Sequence, residues 1–145
     1  MSGIKARRKG QNGEREIIRL LQPIVDERYA TLSQLAVPDL ERNQNQSNKG
    51  GYDIIGLDWI ALEIKRQEKE NLSAWWEQTK KQSKYNQHPV LIYRANNQPW
   101  RVMLEVSVYE SNQLLVMPAQ INLDNFLQWF KIKLTSNLLN NVPLP

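Results

Sequence analysis

Around the middle of the chain, apolar and charged positions separate by parity. Ile60, Leu62 and Ile64 fall on one parity; Trp59, Ala61, Glu63 and Lys65 fall on the other. That two-residue period predicts a strand over Trp59–Arg66 with one wholly apolar face. β-Branched and aromatic residues between glycines predict a shorter strand before it, Tyr52–Gly56, with a turn at Leu57-Asp58. Ile17, Ile18, Leu21, Ile24 and Val25 recur at helical spacing and predict a helix from about Gly10, capped near Asn12 and kinked or ended at Pro23. A second helix is expected over Leu72–Tyr85, capped by Asn71 or Ser73, with Leu72, Trp75, Trp76, Thr79 and Ser83 inward. Both tryptophans then read as core rather than as base-stacking groups.

The later pattern is simpler. His88–Arg94 and Trp100–Val106 read as strands joined by a turn at Asn96–Pro99, and His88, placed in a loop before Pro89, receives no catalytic role. Tyr109–Ala119 is ambiguous, with one strand expected at Leu114–Met117. Asn122 or Asp124 caps a last helix whose Leu123, Phe126, Leu127, Phe130 and Leu134 face inward. The tract Glu41–Gly51 lacks apolar residues and reads as a mobile loop, and residues 140–145 read as a flexible tail. The organisation expected is a basic arm over 1–9 and one domain over 10–139.

Register decides what the two central strands can do together. A strict two-residue turn pairs Gly56 with Trp59 and sets Asp53 across from Leu62, on the wrong face. A three- or five-residue connection, or a bulge, sets Asp53 across from Glu63, and that irregularity is the expectation, since bulges re-aim side chains beside active sites. Two carboxylates and a lysine would then converge, which suits metal-dependent phosphodiester hydrolysis. Mg²⁺ takes hard oxygen ligands, one or two of them carboxylates. Lys65 could orient or deprotonate water, or offset charge on phosphorus. An edge strand with a surface Glu/Lys pair accounts for the same short pattern. Glu14 lies on the inward stripe of the first helix, where a carboxylate needs a cation, a metal or several donors; it also suits the positive end of the helix dipole.

Composition narrows the classes. The 145 residues are 41% hydrophobic with five Trp, enough for one folded domain. With no Cys there are no disulfides, thiolate nucleophiles or Cys-based zinc sites; a single His argues against a His-rich metal centre or a Ser-His-Asp triad. No apolar run approaches the ~20 residues of a membrane span, and no signal-peptide core opens the chain. The net charge of +4 favours a polyanionic partner. Lys5, Arg7, Arg8 and Lys9 would touch phosphate in a nuclease and would be an ordinary solvated terminus otherwise. The Lys cluster of the second helix, Lys81 included, could track a phosphate backbone.

Helix, two strands bearing D…E-x-K, helix, two strands: this order resembles the PD-(D/E)XK nucleases, and within them Holliday junction resolvases and small phage-type nucleases. Lys9–Ile18 resembles the opening helix, Gly51–Gly56 the strand with the metal-binding Asp, and Leu62–Gln67 the E-x-K strand. Two departures are a short Asp53–Glu63 interval and an Asn/Gln-rich tract before Asp53 without a counterpart. The resemblance implies an α/β restriction-endonuclease-like core, a central mixed sheet flanked by helices. It implies a Mg²⁺-dependent endodeoxyribonuclease selective for branched DNA, with Mn²⁺ as a substitute, cytoplasmic in a phage-infected or prophage-bearing bacterium. Asp53, Glu63 and the Ile64 carbonyl would hold metal, Glu14 would complete the site or bind a second ion, and Lys65 would serve the water. Lys49, Arg66, Gln67, Gln78 and Lys81 join the basic arm as DNA-contact candidates. Resolution needs two symmetric nicks, hence a two-fold dimer. The rivals are a sequence-specific nuclease of restriction or homing type and a non-catalytic DNA-binding module on the same fold.

Overall fold

A computed structural model describes residues 3–44 and 51–140. Among these residues three helices flank one six-stranded mixed sheet, confirming the α/β architecture. In chain order the elements are α1 (Gly3–Leu32), β1 (Glu41–Arg42), β2 (Ile54–Ile55), β3 (Ile60–Gln67), α2 (Leu72–Gln82), β4 (His88–Ala95), β5 (Arg101–Glu110), β6 (Gln113–Asn122) and α3 (Leu123–Asn140). Sheet order follows chain order. Among the described strands only β3 and β4 run parallel, and α2 is the crossover between them.

The sheet is apolar on both faces because helices cover both. Ile60, Leu62 and Ile64 of β3, Val90 and Ile92 of β4, and Val102 and Leu104 of β5 share a core with Ile17, Leu21 and Val25 of α1 and Phe126, Phe130, Leu134 and Leu138 of α3. On the opposite face Leu91 and Tyr93 meet Trp75 and Trp76 of α2. Both tryptophans are core, as their spacing implies. Glu63 and Lys65 have the parity of this second face, which places them under α2.

α1 begins earlier than expected and, of the two outcomes open at Pro23, does not end there. Residues 3–9, read as an arm, are its first turns, and the helix passes through Pro23 without ending. Proline removes one backbone bond, but Ile17 and Leu21 before it and Val25 after it are all buried on the same core. That packing outweighs the lost bond.

β1 lies inside the tract read as a loop; residues 45–50, with Lys49, are outside the described residues, as are 141–145 of the tail. α2 stops three residues short of Tyr85, and His88 opens β4 instead of sitting in a loop, edge-on to Trp129. The ambiguous stretch resolves into a long hairpin: β5 runs to Glu110, Ser111 and Asn112 turn with φ of 51° and 63°, and β6 returns from Gln113. Two positive-φ residues are what a type I′ turn requires. The Asn122 side chain caps α3, accepting from the Asn125 amide at 2.7 Å.

The β2–β3 connection is irregular, as the chemistry required. Ile54 pairs with Leu62 rather than Ala61, a shift of one residue, so Asp53 falls across from Glu63. Gly56 makes this possible. Its φ is +128°, and a Cβ there would sit 2.8 Å from the Asp39 carbonyl oxygen. The Asp39–Leu40 segment is itself pinned to α1, because Gln22 donates to the Pro38 carbonyl at 3.0 Å and accepts from the Leu40 amide at 2.8 Å. Gly56→Ala should therefore cost about 1–3 kcal/mol through backbone strain. Urea unfolding measures it, and a wild-type midpoint would contradict this reading of the turn.

Candidate active site

β2 is only two residues long, so β3 beyond Leu62 loses its strand neighbour on that side. The donor so exposed is taken up by a side chain: the Ile64 amide donates to Asp53 Oδ2 at 2.8 Å. The backbone of Asp53 is fixed as well. Its amide donates to the Leu62 carbonyl at 2.8 Å, and its carbonyl accepts from the Asn43 amide at 2.8 Å. Asn43 also donates through Nδ2 to the Tyr52 carbonyl at 2.9 Å. Asp53 is thus held where its carboxylate crosses toward β3.

Glu63 is 3% exposed. Burial pushes its carboxyl up to about 8; the neighbouring Asp53 charge adds to this and the Lys65 ammonium opposes it. Lys65 Nζ stands 3.6 Å from Glu63 Oε1. On the far side the Gln82 amide, oriented to satisfy both its ends, donates to Glu63 Oε2 at 2.6 Å and to the Gly51 carbonyl at 2.9 Å, and accepts from Gln78 at 3.1 Å. Glu63 is therefore gripped from α2 and from its own strand.

Glu14 meets the condition its inward position set, but through a cation. Arg42 Nε donates to Glu14 Oε2 at 2.7 Å, with both side chains largely covered. Among the described residues no three carboxylate or imidazole groups form a ready-made metal cluster. Asp53 and Glu63 supply two hard oxygen donors, and Glu14 lines the same groove from α1. That set suits a hard divalent cation rather than a soft metal. Two facing carboxylates, one of them pushed far above its ordinary range, are the electrostatic problem that a divalent cation relieves.

The groove, about 1100 Å³, runs along the C-terminal end of β3 between α1, β1 and α2. Lys5, Arg7, Lys9, Arg66, Gln67 and Gln78 line it together with Glu14, Asp53, Glu63, Ile64 and Lys65. Arg8 and Lys81 lie outside its lining. Lys9 reaches across to Asn96 Oδ1 at 2.8 Å, bridging α1 and the β4–β5 turn.

A family model described as "phage putative PDDEXK endonuclease" matches residues 5–136. The chain belongs to this family. No curated relative and no solved structure matches it. For a PD-(D/E)XK endonuclease the implied substrate is DNA, and the superfamily generally uses divalent metals. Among the described residues no helix is long and apolar enough to cross a membrane.

Three residues of the site escaped the sequence reading. Arg42 and Asn43 sit in a polar tract with no period to single them out. Gln82 had a usable signal: it follows Gln78 by four residues and so shares its helix face.

Glu63 makes metal-free stability depend on pH. Its folded-state pKa of about 8 lies above the ordinary 4.5, so the folded protein holds a proton that the unfolded chain releases. The resulting stability is full below about 4.5 and is lost as pH rises toward about 8. In EDTA, the urea midpoint of the wild type should fall across that window, and Glu63→Gln should flatten the fall. Parallel pH curves for the two proteins would contradict the assignment.

Proposed function

We propose that this PD-(D/E)XK endonuclease is a Mg²⁺-dependent deoxyribonuclease selective for branched DNA, acting as a two-fold pair of Holliday junction resolvase type. The observation carrying the proposal is the apposition of Asp53 and Glu63 at the floor of a groove rimmed by cations. Asp53, Glu63 and the Ile64 carbonyl would hold the ion, and Glu14 would complete the site on exchanging Arg42 for it. When bound, the ion supplies charge for the scissile phosphate and lowers the pKa of water.

The chain's own groups do the rest. Lys65, two residues from Glu63 on the same face, orients the attacking water and offsets charge growing on phosphorus. Gln82 keeps Glu63 aimed into the groove, so the ligand geometry is set before substrate arrives. Arg42, once released from Glu14, adds a cation beside the phosphate. Lys5, Arg7 and Lys9 on α1, with Arg66 on β3, take the flanking phosphates.

Cleavage of a labelled four-way junction, flap, linear duplex and single strand in Mg²⁺ tests this. The junction should be nicked fastest and in symmetric pairs. Asp53→Ala and Glu63→Ala should each lose at least a hundredfold in nicking while binding junction as well as the wild type, because each removes a ligand and also a negative charge facing phosphate. Full nicking by both variants would end the metal-site assignment; equal cutting of every duplex would end the branched-DNA reading.

A second experiment concerns the rim. Neutralising Lys5, Arg7 and Lys9 together should flatten the log–log salt dependence of DNA binding by up to about 3 units. Neutralising Arg8, which stands off the groove, should leave the slope nearly unchanged. Equal effects from the two sets would show that α1 does not present its cations as the groove geometry indicates.

A further inference from the structure

Among the described residues two buried side-chain donors have no hydrogen-bond partner, the Tyr93 hydroxyl and the Arg94 Nε–H. A buried polar group left unpaired costs free energy, and few are found in folded proteins. These two are consecutive near the end of β4, and both residues line one hollow of about 270 Å³. Gln98 of the β4–β5 turn, Arg101 of β5, Gln120 of β6 and Glu70 line it as well.

The wall of the hollow is fixed. The Arg94 guanidinium lies over the Trp100 ring, 5.0 Å from its centroid, and the Trp100 indole N–H donates to Glu16 at 3.0 Å. Tyr93 is 1% exposed, its ring against Trp75. Its hydroxyl stays protonated, because burial and the Glu70 charge raise its pKa more than Arg101 lowers it. Gln98, Arg101 and Gln120 are exposed and present their donors to a ligand. Two arginines stand against the single carboxylate of Glu70, and neither forms an ion pair among the described residues. The unpaired groups are donors and the excess charge is positive, so the complement is an anion with several acceptor oxygens.

Strand register ties the hollow to the groove. Lys65 and Arg66 of β3 lie across from Tyr93 and Arg94 of β4, and Arg101 of β5 lies across from Tyr93. Lys65 and Arg101 are thus two strand spacings apart, about 10 Å at ~4.8 Å each. Lys9, which lines the groove, bonds Asn96 in the same turn that carries Gln98. We propose that the hollow is a second phosphate site, taking a backbone phosphate of the DNA strand whose scissile phosphate lies at Asp53 and Glu63. It rests on the nuclease reading above and names a further contact of that substrate. Arg94 and Arg101 supply the charged donors, Gln98 and Gln120 the neutral ones, and the Tyr93 hydroxyl stands behind them. A phosphate held there fixes how the strand lies over the metal ligands.

DNA binding in EDTA, followed against salt, tests the site apart from cleavage. Arg101→Gln alters an exposed side chain. It should bind DNA about tenfold more weakly, with a log–log salt slope lower by about 1 and an unchanged melting temperature. Arg94→Lys keeps the charge but loses the planar fork over Trp100, so binding should fall severalfold at an unchanged slope. Tyr93→Phe removes an unpaired hydroxyl and should melt no lower than the wild type while binding less tightly. Ethylation of single phosphates should reveal one position, offset from the nick, that weakens binding by the wild type and not by Arg101→Gln. Wild-type affinity and slope in Arg101→Gln, no such phosphate, or a Tyr93→Phe that melts lower and binds normally would each overturn the site and leave the nuclease reading standing. A wild type that binds no DNA would overturn both.

Discussion

The structure depends on setting one carboxylate against another where water is nearly excluded. Asp53 and Glu63 face each other only because β2 meets β3 one residue away from the register of a tight turn. That offset needs the positive φ of Gly56, the close approach of Asp39, and the two hydrogen bonds by which Gln22 ties the preceding segment to α1. Asn43 then holds Tyr52 and Asp53 from β1. Most of the short, irregular first third of the sheet is explained by this one placement.

The placement is electrostatically costly and the fold contains the cost unevenly. Asp53 is repaid by a backbone amide that no strand satisfies, while Glu63 has Lys65 and Gln82 but remains buried and hard to ionise. Arg42 neutralises Glu14 a short way along the same groove. A site that strains toward protonation without metal and offers hard oxygen donors is poised for a divalent ion. Membership of a PD-(D/E)XK endonuclease family accords with that chemistry.

Much of this was legible in the sequence because it rests on period and spacing. The parity of Ile60, Leu62 and Ile64 fixed the face of Glu63, and the need for Asp53 to join it forced a register that the structure shows. The inward stripes of α2 and α3 were readable for the same reason. What escaped was set by tertiary contact. Pro23 could not announce that packing on either side would carry α1 through it. Arg42, Asn43 and Gln82 act through partners distant in sequence, in segments with no hydrophobic period. The apolar run of β6 resisted assignment because it has the pattern of a buried strand but lies at an exposed edge of the sheet.

The central claim is that Asp53 and Glu63 form one divalent-cation site whose repulsion the ion relieves. Melting temperature with and without Mn²⁺, for wild type beside Asp53→Asn, tests it most directly. The wild type should gain several degrees on adding Mn²⁺, as expected when an ion binds only the folded state. Above about pH 8, where Glu63 is ionised, Asp53→Asn should melt no lower than the wild type without metal, having lost the repulsion, and should gain little from Mn²⁺. An equal Mn²⁺ shift in both proteins would contradict the account.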